Sequence, residues 1–195
     1  MALIHLVILA IAICGTSAQI QFPGSCPNQT VVDPFNATAY LGKWYEIEAY
    51  FQVFSSGAMC TVAQYSLRSD GLVQVFNTNI NEATGNLVSI TGSARLTEGT
   101  AAKLAVSFPV APGEAPYWVL ETDYTNYSVV FACRDYGTVH FITTWYLSRS
   151  RNPSQQARDD VRSIFLNRGI DVTKLQTTNQ TGCPPDTNPP PTHLF

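Results

Sequence analysis

The sequence has few charged residues and no excess of positive charge. Only 13% of its 195 residues are charged, and the formal net charge is −3 at pH 7. A protein that binds nucleic acid needs a basic surface, and one held on anionic lipid by charge needs a polybasic segment. The composition therefore argues against nucleic acid as a partner and against an electrostatic membrane anchor.

The sequence also lacks the short motifs that mark common hydrolases and nucleotide-binding enzymes. Gly-x-Ser-x-Gly, His-Glu-x-x-His and a phosphate-binding loop do not occur. The one acidic pair, Asp159 and Asp160, falls on the polar face of a predicted helix, where solvation is its ordinary role. We expect no catalytic residues and no metal site, and hence a protein that is not an enzyme.

The chain begins with a short apolar segment that resembles a secretory leader. The run from Leu3 to Ile13 is too short to cross a bilayer, and small residues follow it up to Ala18. We predict a signal peptide at 1–18, one domain at 19–183 and a Pro-rich flexible tail at 184–195. The expected product is secreted and extracellular.

Cysteines and glycosylation motifs agree with that compartment. Loss of Cys14 with the leader would leave an even set, namely Cys26, Cys60, Cys133 and Cys183. An even set in a secreted chain predicts two disulfides, although spacing alone leaves three pairings open. Four Asn-x-Ser/Thr motifs predict glycans at Asn28, Asn36, Asn126 and Asn179.

The central part of the sequence predicts an all-β fold. Short segments rich in β-branched and aromatic residues are separated by turn signals such as Asp70-Gly71. Tight turns make consecutive strands antiparallel neighbours, and the pattern is typical of an up-and-down barrel or a sandwich. The eight predicted strands are Lys43–Tyr50, Thr61–Leu67, Leu72–Asn77, Val88–Ala94, Lys103–Phe108, Tyr117–Thr122, Ser128–Cys133 and His140–Ser148.

One α-helix is predicted after the last strand. Asn152 can cap it, Pro153 suits its first position and Gly169 suits the position past its end. Its apolar stripe consists of Ala157, Val161, Ile164 and Phe165. A single stripe predicts that the helix packs on the outside of the eight-stranded barrel and leaves the inside free.

Three segments in this order resemble the sequence marks of the lipocalin family. They are Gly42-Lys43-Trp44-Tyr45-Glu46-Ile47, then Thr122-Asp123-Tyr124 with Tyr127 and Cys133, and finally Arg149. Within the family the chain is most similar to apolipoprotein D and to the arthropod Lazarillo and bilin-binding groups. Ala115-Pro116-Tyr117-Trp118-Val119-Leu120-Glu121-Thr122-Asp123-Tyr124 and Gly169-Ile170-Asp171-Val172 carry this closer resemblance. It implies the disulfides Cys26–Cys133 and Cys60–Cys183.

The resemblance also implies a barrel closed at one end and a ligand site inside it. A guanidinium stacked on an indole is stabilised by roughly 1–2 kcal/mol when desolvated, so Trp44 and Arg149 are interpreted as structural residues of the closed end. The implied ligand contacts are Tyr65, Asn77, Phe108 and Trp145, and strand alternation adds Ala63, Val75, Val106 and Thr143. For Phe108 and Trp145 the alternative is ordinary core packing.

These residues predict a carrier of a small hydrophobic ligand such as a sterol, retinoid, fatty acid or bilin. No resident cofactor is expected, and a biliverdin-type pigment would be held without a covalent bond. The alternatives are a pigment-binding protein, a receptor or cell-surface interaction protein, and a prostaglandin isomerase. The last would need a free cavity cysteine. Phe51, Val53 and Phe54 could form an apolar lip that contacts a receptor or membrane, or they could simply pack within their loop. We expect a monomer or weak homo-oligomer.

Overall fold

The structure, a computed structural model, describes residues 20–52 and 55–186. The predicted leader at 1–18 and the lip residues Val53 and Phe54 lie outside the described residues. So does the tail from residue 187 onward. The start of the predicted tail is described, and there the Asp186 carboxylate pairs with Lys43 and Arg151.

Eight antiparallel strands form a sheet that closes on itself. They are β2 (Gly42–Tyr50), β3 (Ala58–Leu67), β4 (Val73–Asn81), β5 (Leu87–Leu96), β6 (Lys103–Ser107), β7 (Glu114–Thr122), β8 (Tyr127–Asp135) and β9 (Val139–Ser148). Each pairs with its neighbour in sequence, and β2 also pairs with β9. This confirms the predicted eight-stranded up-and-down barrel.

Two short strands extend the sheet beyond the predicted eight. β1 (Ile20–Pro23) pairs with β9, and β10 (Leu175–Thr177) pairs with β2. Segments of four and three residues are too short to show alternation, which is why the sequence pattern missed them. The predicted fifth strand also ran one residue too far, because β6 ends at Ser107 and leaves Phe108 in the following turn.

The described helices are a single turn, α1 (Ala37–Tyr40), and the predicted C-terminal helix, α2 (Gln155–Asn167). A 3₁₀ turn follows at Val172–Lys174. The cap of α2 is Ser154 and not the predicted Asn152, because the Ser154 side chain accepts a hydrogen bond from the Ala157 amide. Past the other end, Gly169 has φ +70°, which a glycine adopts without strain.

Helix α2 lies on the outside of the barrel, as predicted. Val161 and Phe165 are buried in an exterior cluster with Ile47 and Tyr146. Arg162 on the same helix donates to the buried Glu48 carboxylate of β2, with 2.8 Å between Nη2 and Oε1. The apolar stripe and this ion pair hold the helix against the outer face of the barrel. The inner faces of the strands form a separate hydrophobic cluster.

The three segments that resemble the lipocalin sequence marks meet at one end of the barrel. The Arg149 guanidinium lies 3.6 Å from the ring centre of Trp44, which has no exposed surface. Its Nη1 donates to Lys43 O at 2.7 Å and its Nε donates to Tyr124 O at 3.0 Å. In the second segment Asp123 accepts three backbone N–H bonds, from Thr125, Asn126 and Tyr127. One arginine therefore ties the start of β2 to the turn between β7 and β8.

Two disulfides attach the chain's outer segments to the barrel. Cys26 is bonded to Cys133, and Cys60 is bonded to Cys183 across a sequence separation of 123 residues. This is the pairing that the resemblance implied, and it selects one of the three combinations that spacing left open. A loop of this length corresponds to roughly 4–5 kcal/mol in the chain-entropy account.

The described residues contain neither a membrane-spanning helix nor a cluster of metal ligands. Within 20–52 and 55–186, no helix has the length and apolarity needed to cross a bilayer. In the same ranges, no three His, Cys, Asp or Glu side chains are grouped so that they could hold a metal ion.

We predict that Arg149→Lys will destabilise the protein although the charge is kept. Lysine cannot reproduce the planar fork that bonds several carbonyls and stacks on Trp44. Carbonyls left without partners at a buried end cost about 1–3 kcal/mol, so we expect the free energy of unfolding to fall by about 2 kcal/mol in urea titrations.

The matched control is Arg95→Lys, because Arg95 pairs with Glu114 on the exposed surface of the barrel. Exposed pairs contribute about 0–1 kcal/mol, so this variant should unfold nearly as the wild type does. Equal losses in both variants would contradict a special role for Arg149.

Candidate ligand-binding site

The inner faces of the strands bring the predicted ligand residues together. Strand register places Tyr65 opposite Val75 and Ala63 opposite Asn77. Tyr65, Val75 and Val106 are buried in the interior cluster, and Ala63, Phe108 and Trp145 pack against it. Thr143 lies two residues from Trp145 on the same face of β9, opposite Ala132.

Aromatic rings form one side of this interior. Trp145 stacks on Tyr117 with 6.1 Å between ring centres, and Tyr117 meets Tyr65 edge-on at 6.2 Å. Phe108 lies directly on the backbone of β5 at Gly92, where an added Cβ would come within 2.5 Å of its ring. Only glycine permits this contact, so Gly92 positions Phe108 although Phe108 lies outside regular strand structure.

A chain of buried hydroxyl groups forms the floor, and sequence analysis missed it. Tyr40 Oη lies 2.8 Å from Ser128 Oγ and 3.0 Å from Tyr117 Oη, and Tyr65 Oη lies 2.9 Å from Tyr117 Oη. Burial raises the pKa of Tyr40 to about 12 despite its hydrogen bonds, so the floor remains neutral at physiological pH. Alternation in β7 places Tyr117 on the same face as Val119 and could have revealed part of the network.

The wall above the floor contains polar atoms without partners. The Oδ1 atom of Asn77 and the Oγ1 atom of Thr61 are buried and have no hydrogen-bond partner among the described residues. The same is true of Oε1 of Gln52, in the segment that leaves β2. An unsatisfied buried polar atom costs about 1–3 kcal/mol. A ligand or a water molecule that supplies the missing hydrogen bond would recover that free energy.

Glu46 is an inward-facing carboxyl group that sequence analysis did not identify. It lies opposite Leu147, a member of the interior cluster, at a bulge that puts Glu48 on the outer face. Thr178 Oγ1 donates to Glu46 Oε1 at 2.6 Å. Burial raises the pKa of the Glu46 carboxyl, and the Thr178 hydrogen bond partly offsets this effect.

The predicted glycosylation sites and His140 lie outside this interior. The four sequon asparagines, Asn28, Asn36, Asn126 and Asn179, are exposed. Asn36 also caps α1 by accepting a hydrogen bond from the Ala39 amide. His140 is buried beneath β1, where its Nδ1 lies 2.8 Å from Gly24 O and its ring stacks on Phe22. Of the proposed lip, only the half-buried Phe51 is among the described residues.

Comparisons with known proteins agree with this geometry. Residues 35–180 match the family model of the lipocalin-like domain. The chain is 37% identical over 186 residues to apolipoprotein D of Cavia porcellus, covering 94% of this chain and 97% of that protein. It is 34% identical over 176 residues to the Lazarillo protein of Schistocerca americana, covering 88% and 82%.

Solved structures show the same fold. Lobster apocrustacyanin A1 superposes with a TM-score of 0.71 at 27% identity, covering 83% of this chain and 92% of its own. Insecticyanin of the tobacco hornworm Manduca sexta superposes with a TM-score of 0.75 at 24% identity, covering 84% and 90%.

Glu46 should give the protein a distinct pH dependence of stability. Because its pKa is raised in the folded state, the folded chain binds a proton more readily than the unfolded chain there. The free energy of unfolding should therefore fall as pH rises from the usual carboxyl pKa through the raised one. We expect Glu46→Gln to remove this fall and to be more stable than the wild type above that range.

Urea unfolding measured from about pH 4 to pH 8 checks the prediction. The matched control is Glu82→Gln, which removes one carboxyl from an exposed turn residue without touching the interior. If the Glu46→Gln and wild-type curves ran parallel, Glu46 would not be a desolvated group.

Proposed function

The chain belongs to the lipocalin family, and from this we propose that it is an extracellular carrier that holds a small hydrophobic ligand without a covalent bond inside the barrel. The observation that carries the proposal is Asn77. Its Oδ1 atom is buried in a mainly apolar wall, and no described residue donates a hydrogen bond to it. A buried amide of this kind is stabilised by a bound molecule that donates a hydrogen bond.

The aromatic side supports a flat or chain-like hydrophobic ligand. Tyr117 and Trp145 offer ring faces, and Tyr65 offers a hydroxyl at the floor. An apolar surface that carries a small number of convergent polar groups is typical of sites for uncharged small molecules. Sterols, retinoids, acyl chains and bilins all have this general character.

A pigment-binding role is the second candidate, and Asn77 favours it. A linear tetrapyrrole carries lactam and pyrrole N–H groups, which would donate to the free Oδ1 atom while the rings stack on Trp145. Protein that binds such a pigment would show a visible absorption band after purification from its source. A colourless protein that releases a lipid would favour the general carrier.

We further propose that the protein is not a prostaglandin isomerase. The four described cysteines, Cys26, Cys60, Cys133 and Cys183, are all in disulfides. None of them can supply the thiolate that such chemistry needs. Turnover of a prostanoid endoperoxide by the purified chain would overturn this part of the proposal.

Native mass spectrometry of protein purified from its source should show a bound molecule. We expect a mass increment below about 1 kDa that disappears on organic extraction, because the cavity of an eight-stranded barrel holds one small ligand. Denaturing spectra should show the unmodified polypeptide apart from glycans. An increment that survives denaturation and deglycosylation would contradict non-covalent binding.

Trp145→Ala should weaken binding of a fluorescent hydrophobic probe by about tenfold, because a large ring face is removed from the site. The matched control is Trp118→Ala. Trp118 is on the outward face of β7, where it packs against the exterior cluster. The Nζ atom of Lys103 lies 5.1 Å from the centre of its ring. Circular dichroism should show that both variants remain folded. Unchanged affinity in Trp145→Ala would mean that this ring is ordinary core.

A further inference from the structure

The glycosylation motif at Asn179 is held between two strands of the barrel. Its middle residue, Gln180, is buried, and Gln180 Nε2 donates to Glu46 O at 3.0 Å and to Thr61 O at 2.8 Å. The Asn179 carbonyl accepts a hydrogen bond from the Cys60 amide at 2.7 Å. Because these bonds join the motif to both β2 and β3, the segment cannot leave the surface while they remain.

A disulfide fixes the same segment. Cys183 follows Asn179 by four residues and is bonded to Cys60 of β3. Oligosaccharyl transferase has to enclose both the asparagine and the hydroxyl residue two positions further on, so its acceptor is a flexible, extended segment. A motif that is tethered to β3 and hydrogen-bonded on both sides is therefore a poor acceptor.

The residues that hold this motif all precede it in the chain. Synthesis runs from the N-terminus, and the earlier part of a chain folds first. Cys60, Glu46 and Thr61 have therefore already entered the secretory compartment when Asn179 arrives there. The disulfide to Cys60 can form as soon as Cys183 follows, within the seconds or longer that disulfide formation takes.

The motif at Asn28 lies beside the other disulfide, but the order in the chain is reversed. Cys26, two residues before Asn28, is bonded to Cys133 across a sequence separation of 107 residues. Thr30 is held by Arg168, whose Nη1 donates to Thr30 O at 2.9 Å. At a synthesis rate of about 5–20 residues per second, Cys133 follows Cys26 by roughly 5–20 s. Asn28 is thus accessible before the residues that hold its motif have been made.

We propose that formation of the Cys60–Cys183 disulfide competes with glycosylation of Asn179, so that only part of the secreted molecules carry a glycan at Asn179 and nearly all carry one at Asn28. This inference goes beyond the carrier function and rests only on the proposed secretory route. It explains how two motifs that both lie beside a disulfide differ in occupancy.

The two competing reactions differ in chemistry. In glycosylation the Asn179 Nδ2 atom bonds to the anomeric carbon of a lipid-linked oligosaccharide, loses one proton and displaces the lipid diphosphate. In disulfide formation the thiols of Cys60 and Cys183 lose two protons and two electrons to the disulfide of a thiol oxidoreductase, which becomes a dithiol. Neither reaction consumes a group that the other needs, so they compete only through access to the segment.

The competition runs in one direction. The Asn179 side chain is exposed, so a glycan attached before the segment docks projects into solvent and leaves the disulfide able to close. A disulfide that closes first holds Gln180 between the strands and withdraws the motif from the transferase. Both products therefore have the same fold, and the order of events decides which one is made.

Peptide mass spectrometry of protein secreted by cultured animal cells measures the occupancy of each motif, if the glycans are removed enzymatically in heavy-oxygen water. We expect nearly complete occupancy at Asn28 and about half at Asn179, as for two reactions with similar rates. In the double variant Cys60→Ser/Cys183→Ser the competing reaction is absent, so the occupancy of Asn179 should rise about twofold.

The matched control is Cys26→Ser/Cys133→Ser, which also removes one disulfide and so accounts for slower folding in general. It should leave Asn28 nearly fully occupied and Asn179 at the wild-type level. A second test needs no variant. Wild-type cells treated with a membrane-permeable dithiol during a short labelling pulse should show the same rise at Asn179 as the Cys60→Ser/Cys183→Ser chain.

The outcomes separate this inference from the proposed function. Equal occupancy of Asn28 and Asn179 in the wild type would overturn the competition, as would an equal rise at Asn179 in both double variants or no rise in either. If the chain stays inside the cell without glycans, the secretory route and this inference are both wrong. Ligand binding by the purified barrel tests the carrier function separately from either result.

Discussion

The pairing of β2 with β9 is the constraint on which the rest of the structure depends. Tyr45 lies opposite Ser148 and Ala49 lies opposite Trp145, so the first and last barrel strands satisfy each other's backbone groups. Closure gives every strand a concave face and a convex face. Two consecutive residues of a strand therefore pack on opposite sides of the sheet. Trp145 packs against the interior cluster, and Tyr146 packs on the outside beneath α2.

The outer face is stabilised independently of the inner one. Helix α2, the Arg162–Glu48 pair and both disulfides all attach to the outside of the barrel or to its ends. Cys183 holds the C-terminal segment against β3, and Gln180 from that segment joins β2 to β3. Because these contacts stabilise the barrel from outside, the interior can keep polar atoms that lack partners among the described residues.

The floor and the wall of the interior differ in whether their polar groups already have hydrogen-bond partners. The floor is a neutral hydroxyl network that is already hydrogen-bonded, so it contributes shape and aromatic surface. The wall carries Asn77, whose buried Oδ1 atom has no partner among the described residues, and Glu46, whose carboxyl pKa is raised by burial. In sites for small hydrophobic molecules, apolar surface supplies most of the affinity, and a few polar groups fix the orientation of the ligand.

The amino-acid pattern by itself determined the eight antiparallel strands, the outer helix and the apolar inward rows, because strand and helix periodicities are local and alternation needs no partner strand. Only the tertiary structure decided the orientation of Glu46. A bulge at Ile47 interrupts alternation, so Glu46 faces inward and Glu48 outward, and no local pattern reveals where a bulge falls. The hydroxyl floor likewise joins Tyr40, Tyr117 and Ser128 from distant segments, and only closure of the sheet brings such residues into hydrogen-bonding distance.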